Sequence, residues 1–203
     1  MAPTQFDDEE DSLTWRLTSN GKFSVSSAYH AQLLGHIPSV IFPQVWRTKA
    51  TPKCRLHAWL FMHNKALTAD NLAKRGWPHD PICKLCHIQP ETAVHIAATC
   101  SYSRQVWQDV LGKLSLPSGL APDPSCRYLQ DWWQHCSRSV PANIADTWHS
   151  LALLSWRILW KERNNRVFNN KAISAHTIAD NIVTELNHWR VAGVLGASRL
   201  TGD

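Results

Sequence analysis

Residues 83–100 read CKLCHIQPETAVHIAATC, with potential metal ligands spaced Cys83-x2-Cys86-x8-His95-x4-Cys100. A C-x2-C pair turns two sulfurs toward one point, and the tight turn between them leaves backbone N–H groups to support the thiolates. A third and a fourth ligand then close a tetrahedron. Pro90 and Glu91 offer a helix start, which places His95 on a short helix. On a regular helix Cys100 would lie about 140° around from His95, so this reading needs the helix to break between Ala98 and Cys100. Four protein ligands leave no open position for a substrate or an activated water. The spacing therefore predicts one structural Zn2+ and no catalytic centre. His87 is the competing nitrogen, but it adjoins Cys86 too closely for a low-strain chelate. Cys54 with His57, and His135 with Cys136, have no further partners nearby, and Cys126 stands in a linker. These three cysteines read as ordinary thiols.

Upstream of this stretch, LTWRLTSNGKFSV (13–25) alternates apolar and polar residues on either side of Asn20-Gly21, the pattern of a small β-hairpin. A helix over 26–35 follows, from Ser26 to Gly35, and then a connection containing Pro38 and Pro43. Thr51-Pro52 starts another helix, with Leu56, Trp59, Leu60 and His63 as its stripe. Thr68 caps a short helix that ends before Gly76. Downstream, a helix runs through Val106, Trp107, Val110 and Leu114. After the Pro-, Gly- and Ser-rich residues 115–127 come two long helix candidates. Leu153, Trp156, Leu159, Trp160 and Val167 line one over 146–168; Ile178, Ile182, Leu186 and Trp189 line the other over 175–190.

The expected architecture is thus mainly α with a small N-terminal β-hairpin. Its parts are an acidic leader (1–11), a zinc-stapled helical domain (12–114), the linker (115–127), a C-terminal region with a helical pair (128–192) and a tail (193–203).

Hydrophobic residues make up 44% of the 203 and charged residues 18%, a globular composition with eleven tryptophans. No apolar run is long enough for a membrane span, and MAPTQFDDEEDS is no signal peptide. The expectation is an intracellular protein, nuclear or cytoplasmic, that is not secreted and has no membrane partner. In such a chain six cysteines point to metal or free thiols before disulfides. The formal charge of +5 is uneven: the leader carries five acids, whereas residues 12–110 hold eleven Lys/Arg against four acids.

Trp46-x4-TPK, HAWLFMHNKALTADNLAKRGW, CKLC…ETAVHIAATC and Val106-Trp107 stand in this order along the chain. Together they resemble the zinc-binding domain of plant reverse transcriptases (zf-RVT), which follows the polymerase in LINE-type non-LTR retrotransposons. SLTWRLTSNGKFSVSSAY resembles the family's opening segment, and SWRILWKERNNRVFNN the tryptophan-rich segment that trails it. The resemblance runs from residue 12 to about 190.

It implies that Cys83, Cys86, His95 and Cys100 are the four zinc positions, and that the chain is a free-standing fragment or a domesticated descendant. No Y-x-D-D pair and no nuclease-like acid cluster stands in the sequence, so a non-enzyme is expected. The resemblance further implies RNA or DNA binding with little sequence preference. Lys49, Lys53, Arg55, Lys65, Lys74, Arg75 and Lys84 precede or border the zinc site. Trp77 stands where a base could stack, or where its ring could pack over the metal loop. The alternative is a domesticated interaction or regulatory module without nucleic-acid binding, using the Trp-rich C-terminal helices against another protein. In those helices Arg157, Lys161, Arg163 and Arg166 are expected to be left outside.

Overall fold

Ser24 and Ser27 overturn the expected hairpin. Each backbone N–H donates to the other's hydroxyl, at 3.3 and 3.1 Å, a reciprocal cap that opens a helix. That helix, α1 (Val25–Gln32), takes Val25 out of any second strand. Among the described residues Trp15 N–H to Gly21 C=O (2.8 Å) is the one backbone bond across the segment, around a turn closed by Gly21 N–H to Thr18 C=O. Trp15 and Phe23 meet edge to face at 5.1 Å. No strand forms among the described residues, so the hairpin reduces to a turn leading into a helix.

A computed structural model describes residues 13–32 and 41–195. The acidic leader, the helix end expected at Gly35, Pro38 and the tail beyond 195 lie outside the described residues. Residues 40–203 form one unit by themselves, apart from residues 1–39.

Within the larger unit, α2 (Ile41–Arg47) occupies what the prolines marked as a connection. Pro43 sits in the first turn, where N–H groups have no intrahelical acceptor. Helix α3 (Pro52–Met62) starts on Thr51-Pro52 as expected, but its buried face is Cys54, His57, Ala58, Phe61 and Met62. Leu56 of the expected stripe is 51% exposed. The true stripe follows i, i+3, i+4, i+7, i+8, and it was hidden because Cys54 and His57 do not read as core residues.

Helix α4 (Ala69–Ala73) follows Thr68. Gly76 takes φ +68°, and Trp77 N–H returns to Leu72 C=O at 3.1 Å, the left-handed exit that favours glycine.

The remaining helices are α5 (Ser101–Lys113), α6 (Leu129–Ser139), α7 (Ala145–Asn169) and α8 (Ala175–Val191). Helix α8 buries Ile178, Ile182, Leu186 and Trp189, the expected stripe, and packs mainly on α5; α7 packs on α3 and on α8. Leu116 and Leu120, between α5 and α6, are buried.

The core is a tryptophan cluster. Trp107 of α5 meets Trp132 of α6 at 5.4 Å, and Trp132 meets Trp148 and Trp156 of α7 at 5.4 and 5.5 Å. Trp133 adds contacts to Trp148 (5.4 Å) and Trp156 (6.1 Å). Offset and edge-on pairs at these separations stabilise beyond the area they bury. No described helix is long and apolar enough to cross a membrane.

Candidate metal centre

Short backbone bonds close the loop that carries Cys83 and Cys86. Cys83 N–H donates to Gln89 C=O (2.9 Å), Glu91 N–H to Pro81 C=O (2.8 Å) and His87 N–H to Cys83 C=O (2.8 Å). Leu85 N–H points at Cys83 Sγ at 3.4 Å, the support that a C-x2-C turn gives a thiolate. His95 opens a π-helical turn, His95–Thr99, in which Cys100 N–H bonds back to His95 C=O at 2.8 Å. This wider winding brings residue i+5 round toward residue i, closing much of the offset that a regular helix would leave. Cys100 itself leaves the helix with ψ 132°, and α5 starts at the next residue. The break falls where the sequence required one.

The ligand atoms of Cys83, Cys86, His95 and Cys100 all lie within 4.8 Å of one another. A tetrahedral ion with Zn–S near 2.3 Å and Zn–N near 2.0–2.1 Å sets its ligands ~3.6–3.8 Å apart, and Cys86 Sγ stands 3.3 Å from His95 Nε2. Thr99 Oγ1 lies 3.4 Å from His95 Nδ1 and turns the other ring nitrogen toward the sulfurs. Cys83 and Cys100 are fully buried, His95 is 4% exposed, and exposed His87 stands outside the cluster in a left-handed conformation.

Cys100 accepts a hydrogen bond from Cys83. This bond, with burial, pushes the Cys83 thiol up to about 12, and it holds Cys100 below the usual thiol range. Three sulfurs and one imidazole form a soft, closed donor set, suited to one transition-metal ion and unsuited to Mg2+ or Ca2+.

Two arginines of α7 brace this centre. Arg166, its side chain 12% exposed, donates to the carbonyls of Lys84 (3.2 Å) and Leu85 (3.0 Å), the two residues between the cysteines. It is held by Glu162 Oε1 at 2.7 Å and lies over the Tyr102 ring at 4.4 Å. Arg163 forms a two-point pair with Glu91, Nε to Oε2 at 2.8 Å and Nη2 to Oε1 at 2.5 Å; both residues are buried. Glu91 also accepts the Ala69 N–H, tying the loop to the start of α4. Arg163 and Arg166 are thus inside, correcting the expectation that they stay out. Each finds a buried carboxylate, a pairing with no periodic signature in sequence.

The candidate nucleic-acid residues divide into groups. Lys65 and Arg75 line one hollow, and Trp77 and Lys84 an adjoining one. Lys84 pairs with Asp80 at 2.5 Å, and Lys74 with Asp70 at 3.3 Å. Arg55 donates to Trp46 C=O, and Lys53 stands with it on α3, away from both hollows. Trp77 is 51% exposed, with Arg75 over its ring at 5.6 Å. Asn71 fixes the loop carrying Lys65 by donating to Asn64 C=O (2.9 Å) and Ala66 C=O (2.8 Å).

The family model for zinc-binding in reverse transcriptase matches residues 23–107. A putative ribonuclease H protein of Arabidopsis thaliana is 23% identical over 105 residues, which cover 50% of this chain and 17% of that protein. The chain thus matches only a small part of this relative's length. No solved structure matches. Residues 23–107 are therefore a zf-RVT domain, the zinc-binding module of reverse transcriptases, with the four clustered ligands inside it and the α7 arginines that brace them outside it.

Proposed function

We propose that this chain is a non-catalytic, retrotransposon-derived module, folded around one structural zinc, that binds RNA or DNA with little sequence preference. The observation carrying this reading is the closed Cys-Cys-His-Cys cluster beside the cations of the 64–84 segment. When bound, zinc supplies a cross-link between loop and helix in place of apolar burial. Cys83, Cys86, His95 and Cys100 hold it, while Arg166 and Thr99 keep turn and imidazole in position.

A non-enzymatic role is supported by the buried acids Glu91 and Glu162, each occupied by an arginine. The ribonuclease H name belongs to a relative of which the matched residues make up 17%. Intracellular residence, nuclear or cytoplasmic, fits cysteines that gather into a metal-type cluster. Lys65, Arg75 and Lys84 supply phosphate contacts, and each phosphate neutralised releases counterions.

The test is binding of zinc-loaded protein to labelled RNA and DNA across a salt series, beside Cys86→Ser. Three phosphate contacts predict a log–log slope of about −2 on single strands, and the variant should lose both zinc and binding. Salt-independent binding, or binding unaffected in a zinc-free variant, refutes the reading.

A further inference from the structure

Two hollows adjoin along one edge of the larger unit, and Leu67, Arg163 and Phe168 belong to both. The first, about 480 Å³, is floored by His57 and Trp160 and rimmed by Lys65 and Arg75. No carboxylate lines it. The second, about 330 Å³, contains Trp77 and Lys84, and its acids are already matched: Asp80 by Lys84, Glu91 by Arg163. Between them stands Phe168, near the end of α7 and 74% exposed, an aromatic ring that the fold does not bury. Trp77 flanks it, half exposed, its own ring carrying the Arg75 guanidinium.

This combination selects its occupant. Cations without free acids match a polyanion. Exposed aromatic faces match flat π-systems, and a duplex keeps its base faces stacked inside itself, whereas an unpaired strand offers them. An apolar helix of a partner protein would gain from Phe168 but would leave Lys65 and Arg75 unanswered.

Resting on the nucleic-acid reading above, we propose that this double hollow is a single-strand binding groove, in which unpaired bases stack on Phe168 and Trp77 while Lys65 and Arg75 hold the flanking phosphates. Phe168 lies outside the segment matched by the family model, so the groove is completed by α7.

The test uses the zinc-loaded full chain and a fluorescein-labelled oligonucleotide of mixed sequence, single-stranded and as its duplex, read by anisotropy. Single strand is expected to bind more tightly than duplex at equal salt. Phe168→Ala and Trp77→Ala, both at exposed positions and checked by thermal melting, should each weaken single-strand binding by about fivefold or more, leaving duplex binding and the salt slope unchanged. Lys65→Ala should flatten the single-strand slope by about 0.7. Wild-type single-strand affinity in both aromatic variants overturns the groove while leaving phosphate binding intact. Equal losses on single strand and duplex overturn the stacking. Absence of all nucleic-acid binding at low salt overturns both readings and turns the search to a protein partner.

Discussion

Between Pro81 and Cys100 the buried apolar side chains are Leu85, Ala93, Ile96, Ala97 and Ala98, whereas the meeting of α5, α6 and α7 stacks five tryptophans. The first region has too little apolar area to offset the entropy of ordering a loop, and its supports are polar: a Cys–His cluster able to hold a metal ion, the Glu91–Arg163 pair, and Arg166 on two carbonyls. The second needs none of these. One chain therefore contains a region whose stability should follow metal and pH, and another whose stability should follow packing volume. The two meet along α7, which gives Trp148 and Trp156 to the core and Arg163 and Arg166 to the loop, and along α5, where the Trp107 N–H donates to Ala97 C=O at 3.0 Å.

The largest effect should come from the cluster itself. Cys100→Ser should abolish stoichiometric metal binding and melt residues 81–100; structural zinc is worth on the order of 10 kcal/mol to small zinc modules. Metal analysis with hydrogen exchange over the loop checks this, and full occupancy in the variant would remove Cys100 from the ligand set.

Trp156→Ala should cost about 3–5 kcal/mol and lower the melting temperature of the whole unit, while metal stays bound below the transition. Early metal loss would show that the two regions are not separable.

Glu91→Ala leaves Arg163 buried without its partner, at about 3–5 kcal/mol. The double replacement Glu91→Leu with Arg163→Met should recover most of that. Denaturant titration of the three proteins decides it; a double variant as weak as the single would put the energy in the Ala69 cap contact instead.

His57, 6% exposed and stacked on Phe61 at 4.2 Å, is pushed down to about 3 by burial, with the Arg157 charge adding to it. Its folded value lies below the ordinary 6.5, so its stabilisation is complete above pH 6.5 and is lost as pH falls toward 3. The protein should be about 2 kcal/mol less stable at pH 5 than at pH 7 on this account. Acid also strips the metal ligands, so the comparison is with His57→Leu, whose stability should fall less steeply over the same interval. Parallel slopes would contradict it.

Smallest in stability and sharpest in location is Arg166→Ala. It frees the Lys84 and Leu85 carbonyls and should weaken metal affinity about 10- to 100-fold, the usual scale for groups that orient ligands. Competition with a chelator measures it, and unchanged affinity would make the brace incidental.

How much of this is legible in sequence varies with the kind of interaction. The ligand set follows from local spacing, and Thr51-Pro52, Thr68…Gly76 and the α8 stripe are equally local signals. Helix α6 escapes such a reading, because its eleven residues mix Leu129, Trp132, Trp133 and Cys136 with polar neighbours directly after a Pro-rich run. The hairpin fails for the opposite reason. Its turn residues are genuine, but the Ser24–Ser27 cap commits the second arm to helix. The Arg163 and Arg166 contacts reach back across 72 and 82 residues and leave no pattern in the chain. The groove shares that difficulty, since Phe168 meets Lys65 and Trp77 only through the tertiary fold.

The five stacked indoles have an optical consequence. Chromophores this close couple through their strong far-ultraviolet transitions, so the far-ultraviolet circular dichroism of this protein should carry an exciton contribution from the cluster on top of the helix signal. Excitation energy absorbed anywhere among Trp107, Trp132, Trp133, Trp148 and Trp156 will pool before it is emitted. The chain thus carries its own unlabelled reporter of α5–α6–α7 docking, one that touches the metal loop through the Trp107 N–H on Ala97 C=O (3.0 Å) and should therefore register the withdrawal of a bound metal.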